Sequence, residues 1–110
     1  MENKELMKKD LLISAIGKWG KSIQLIMVIE EMAELTKAIS KNFRGEDNRD
    51  KILEETADVF IMLEQIKIIF NIKQEELNDV IDSKMKRLEK RLNIDNKESM
   101  QKHIERWSAS

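Results

Sequence analysis

The sequence has no cysteine, no proline and no tyrosine, and only three glycines. Without cysteine it can form neither disulfides nor thiolate metal sites, which fits a reducing, cytoplasmic setting. Without proline, and with glycine confined to Gly17, Gly20 and Gly45, little interrupts a helix. Long apolar runs are also missing. The longest, such as 25–29 and 59–63, fall far short of a bilayer span, so no membrane partner is expected. Residues 1–10 mix acids and bases and are followed by no long apolar stretch of the signal-peptide kind. Nor does one sign of charge dominate: 20 Lys and Arg against 21 Asp and Glu leave a net charge of −1, and no basic field to attract a nucleic-acid polymer.

What the chain does have is apolar residues at helical spacing, which predicts an all-α fold. Its 110 residues suit one domain, with a core over about 6–92 and a tail over 93–110. A first helix over 6–16 is expected to turn Leu11, Leu12, Ala15 and Ile16 inward. Ser22 is placed to cap a second helix running to about residue 41. A polar loop over 42–50 holds Gly45; a third helix spans about 50–70 and, after a turn at 71–73, a fourth spans 74–92. The fourth is expected to bury Leu77, Ile81, Met85, Leu88 and Leu92. The tail reads either as a short helix through Met100, Ile104 and Trp107 or as a partly ordered segment. Helices two and three are apolar almost all round, and so small a chain needs a second copy to cover them.

Within those two helices lie two matching acidic patterns, Glu30-Glu31-x-x-Glu34 and Glu54-Glu55-x-x-Asp58. Residues three apart on a helix are neighbours, so each pattern presents two acids on one face. If the chain turns back near Arg44 and Gly45, Glu31 stands opposite Asp58 and Glu34 opposite Glu55. One such row alone would be an ordinary solvated face. Two rows in register, each set in apolar sequence, would repel one another without a cation, and the simplest occupant is a divalent metal. The same folding arithmetic across helices three and four sets Lys84 and Arg87 level with Asp58, with Arg91 one turn further on. Basic groups beside a metal-binding acidic cluster suit a metal-chelated polyphosphate, although a solvated stripe is the plain alternative. Lys51 reads either as a surface partner of Glu55 or as a phosphate ligand; Trp19 as a core anchor or a base-stacking platform. Gln24 can donate to and accept from a base edge. His103 has charged neighbours and is given no role.

Trp19, Gln24, Glu30-Glu31-x-x-Glu34-Leu35, Glu54-Glu55-x-Ala57-Asp58-Val59 and Lys84-x-x-Arg87 together resemble the MazG-like all-α nucleoside triphosphate pyrophosphohydrolases, over about residues 15–92. The resemblance implies a four-helix bundle assembled as a homodimer or dimer of dimers, and Mg²⁺-dependent hydrolysis of (d)NTPs to monophosphate and pyrophosphate, with Mn²⁺ as a possible substitute. It further implies Glu31, Glu34, Glu55 and Asp58 as metal ligands, and Glu30 and Glu54 as auxiliary acids. Lys51, Lys84 and Arg87 match phosphate-contacting positions, and Trp19 and Gln24 a base pocket. Leu88 departs from members that carry a second arginine there, and Arg91 is the substitute at hand.

On that reading Glu34 or Glu55 accepts the proton of the attacking water, and attack falls on the α or the β phosphorus. Pool cleansing is one biological role such an enzyme can serve. The competing reading is a non-catalytic helical module for oligomerisation or nucleotide sensing. It explains the apolar helices equally well and leaves the paired acids unexplained.

Overall fold

The computed structural model describes residues 4–94 and 96–110, so residues 1–3 and 95 of the expected 1–110 domain lie outside it. The described residues are all-α: α1 (Lys4–Trp19), α2 (Lys21–Phe43), α3 (Arg49–Ile69), α4 (Gln74–Arg91) and α5 (Lys97–Ala109). They divide into two compact units, the first ending at Ile72 and the second beginning at Lys73. Among the described residues no single helix is long and apolar enough to cross a membrane.

In the first unit α1 and α2 meet at a bend of 114°, with Gly20 between them at φ 89°. That backbone angle suits glycine, so Gly20 itself holds the N-cap position; Ser22, the expected cap, lies within the first turn. At its far end α2 closes in a Schellman turn: Gly45 takes φ 98°, its N–H reaches Asn42 O, and the Glu46 N–H reaches Lys41 O. Asn71 and Asn93 end α3 and α4 in the same way, at φ 52° and 54°. The short loop is tied back, since the Asn48 side chain donates to Ala38 O at 2.9 Å. These stops make α2 and α3 an antiparallel hairpin whose seam has a defined register.

Among the described residues of that unit the buried hydrophobic side chains are few: Val28, Ala38 and Met62. On α1, Leu12, Ala15 and Ile16 turn inward as expected, whereas Leu11 is exposed, because it lies about 100° round the helix from Leu12. Helical spacing puts Ile26, Ile29 and Ala33 of α2, and Leu53, Phe60 and Leu63 of α3, on the sides facing away from the seam. All six are exposed. In the second unit α4 carries its apolar stripe, but only Leu77 is half-buried; Ile81, Met85, Leu88 and Leu92 are exposed. The tail resolves into α5, capped by the Asn96 side chain, which accepts from the Ser99 N–H at 2.9 Å.

Two glutamines lie buried in the first unit. Gln24 of α2 and Gln65 of α3 each sit two turns from an acid of the seam, Gln24 before Glu31 and Gln65 after Asp58. The Gln24 amide contacts the Met27 sulfur at 3.5 Å, and Gln65, 2% exposed, has a buried Oε1 with no hydrogen-bond partner among the described residues. An unsatisfied buried acceptor costs about 1–3 kcal/mol. Gln65→Leu should therefore leave stability unchanged or raise it by about that amount in thermal or urea unfolding. A clear loss of stability would mean that this oxygen has a partner outside the single chain.

Candidate metal centre

Glu31 arrives on α2, Glu55 and Asp58 on α3, and one carboxylate oxygen from each lies within 4.8 Å of the others. The reason is local. Glu55 and Asp58 are three apart and share a helix face, and the hairpin register sets Glu31 against them. Glu55 is buried, 5% exposed, while Glu31 and Asp58 are half-buried.

Only one cation is in contact with this group among the described residues. Lys51, one turn before Glu55, places its Nζ 3.0 Å from Glu55 and 4.0 Å from Glu54. The hydrogen bond to Glu55 is the main reason that the Lys51 ammonium titrates above the ordinary lysine range, with the Glu54 charge next. One ammonium against three carboxylates leaves the group under-compensated. Accordingly Glu31 is held above the ordinary carboxylate range, first by burial, then by the charges of Asp58 and Glu55 and a side-chain hydrogen bond to Asp58. An all-carboxylate donor set of this kind suits a hard divalent cation such as Mg²⁺, Mn²⁺ or Ca²⁺.

The structure brings together three of the four expected metal ligands. The fourth, Glu34, is exposed and turns toward the hairpin tip, where with Lys37, Ala38, Lys41, Glu46 and Lys51 it lines an open pocket of about 260 Å³. Glu30 and Glu54 are exposed flanking acids. Gln24 is fully buried beside Met27, while Trp19 is half-exposed with the Lys18 ammonium 5.3 Å from its ring centre, a cation–π contact. Lys84, Arg87 and Arg91 share one exposed face of α4 in the second unit. Sequence reasoning missed Gln65, Lys37 and Lys41. The signal for Gln65 was present, since the arithmetic that opposes Glu31 to Asp58 also opposes Gln24 to Gln65.

Because the folded-state pKa of Glu31 lies above its ordinary value, Glu31 favours the metal-free fold less as pH rises through that raised value. Metal-free Glu31→Gln protein should thus be the more stable at neutral pH, with the gap closing on acidification. Cation affinity runs the other way: Mn²⁺ binding should weaken as pH falls from about 7 to about 5, because protons compete for Glu31. Calorimetric titration checks this, and an affinity independent of pH contradicts the assignment of Glu31 as a ligand.

Comparison with protein-family models, with curated proteins and with solved structures finds no match for this chain.

Proposed function

We propose that this chain is a Mg²⁺-dependent nucleoside triphosphate pyrophosphohydrolase of the MazG-like type. The observation that carries the reading is the convergence of Glu31, Glu55 and Asp58 from two helices within 4.8 Å, with Lys51 at their edge. Glu31, Glu55 and Asp58 would hold the ion, and a bound Mg²⁺ would draw charge from the phosphate oxygens and acidify water. The chain's own groups do the rest. A water oxygen attacks the α or β phosphorus and the anhydride P–O bond between them breaks; the bonding pair leaves with pyrophosphate if attack is at α, and with the nucleoside monophosphate if attack is at β. Glu34 takes the proton of that water: it is solvent-facing, whereas Glu55 is buried and committed to Lys51. Lys51 neutralises phosphate charge, and the half-exposed Trp19 ring is the platform for the base.

Pyrophosphate release from a panel of (d)NTPs with Mg²⁺ or Mn²⁺ tests the reading. Glu55→Gln and Asp58→Asn should each lower the rate by about 100-fold or more. Full activity in either variant removes the site assignment. Nucleotide binding with no pyrophosphate from any common (d)NTP would instead favour a sensing module.

The assembly belongs to the same proposal. The exposed sides of α2 and α3, Phe60 at 66% and Ile29 at 68%, support a homodimer or dimer of dimers built on a four-helix bundle. Light scattering should give at least twice the 13.0 kDa chain mass. Phe60→Glu should lower that mass toward the monomer, and a wild-type monomer at micromolar concentration contradicts the assembly.

A further inference from the structure

The pocket beside Glu34 is built mainly from one helix face. Glu34, Lys37, Ala38 and Lys41 follow each other at steps of three, one and three along α2, Glu46 enters from the loop and Lys51 from the first turn of α3. Its charges are three ammoniums against two carboxylates. Lys51 already serves Glu55, but Lys37 and Lys41 carry no ion pair among the described residues. They are therefore unspent positive charge, one and two turns beyond Glu34 on the side of the hairpin tip.

Position matters as much as charge. Lys51 touches both places, lining the pocket while its Nζ sits 3.0 Å from Glu55 of the carboxylate group. An anion in the pocket is thus continuous with a cation held by Glu31, Glu55 and Asp58. A volume of about 260 Å³ is roughly the share of eight or nine liquid waters, enough for a compact diphosphate.

We propose that Lys37 and Lys41, with Lys51, form an anion subsite that holds the pyrophosphate portion of a metal-chelated triphosphate and retains inorganic pyrophosphate after cleavage. The identity of the anion rests on the proposed hydrolase activity; the lysine pocket does not. Lys37 and Lys41 lie outside the positions that carry the resemblance to phosphate contacts. Three N–H donors on each ammonium meet the oxygens of the terminal phosphates, and a monophosphate placed nearer the base would gain little from them.

The test is titration of the full-length protein with inorganic pyrophosphate and, separately, a nucleoside monophosphate, each with Mg²⁺, for the wild type and a Lys37→Gln/Lys41→Gln double variant. Pyrophosphate binding should weaken on the order of tenfold or more in the variant, with monophosphate binding changed less than about threefold. Lys37→Arg/Lys41→Arg should restore most of the pyrophosphate affinity. Mn²⁺ titration without anion should give the same affinity in wild type and variant, which shows the carboxylate group intact. Unchanged pyrophosphate affinity in the double Gln variant, an equal loss for both anions, or no pyrophosphate binding by the wild type overturns the subsite. Loss of pyrophosphate binding in a protein that cleaves no (d)NTP would leave the subsite standing and the hydrolase reading failed. Cleavage with unchanged pyrophosphate affinity gives the reverse.

Discussion

Three carboxylates held within 4.8 Å in a partly buried seam repel one another, and the first unit is arranged around that repulsion. Lys51 offsets part of it from within the helix, a turn before Glu55. The remainder shows at Glu31, whose carboxyl keeps its proton to a higher pH than usual. A seam lined with leucine would be the more stable choice, since charge buried without full compensation weakens a fold. In the proposed reading a divalent cation would replace the missing positive charge and relieve that repulsion.

The second constraint is the scarcity of core. Val28, Ala38 and Met62 are the buried hydrophobic side chains among the described residues of the first unit, while both outward sides of the α2–α3 hairpin are apolar and exposed. A helix pair that is greasy on the seam and on its back needs a partner surface. In the proposed assembly the backs of α2 and α3 meet a second copy, leaving the acidic end of the seam to substrate. Packing and chemistry would then be divided along the hairpin: apolar contact on its outer sides, carboxylates within, and lysines toward the tip.

Much of this was legible in the sequence because the hairpin tip is marked. Gly45 can adopt the left-handed angle that closes α2, so the tip is placed correctly, and the opposition of Glu31 to Asp58 follows. Glu34 illustrates the limit. Simple numbering opposes it to Glu55, but Glu55 bonds Lys51, and Glu34 is left facing the pocket at the tip. The start of α2 was misread at Ser22 because a serine is a better side-chain cap than glycine, yet the 114° bend calls for the positive φ of Gly20. Periodicity located α4 but not the exposure of its Ile81, Met85, Leu88 and Leu92, because the spacing of a stripe does not say what packs on it. The unpaired Gln65 oxygen and the lysine pocket are tertiary facts, visible only once the two helices are set side by side.

The most direct measurement is a crystal structure grown with Mn²⁺, with data collected at the manganese absorption edge. The account predicts an anomalous peak in direct contact with oxygens of Glu31, Glu55 and Asp58. A structure with manganese bound elsewhere, and those three side chains turned apart toward solvent, would contradict it.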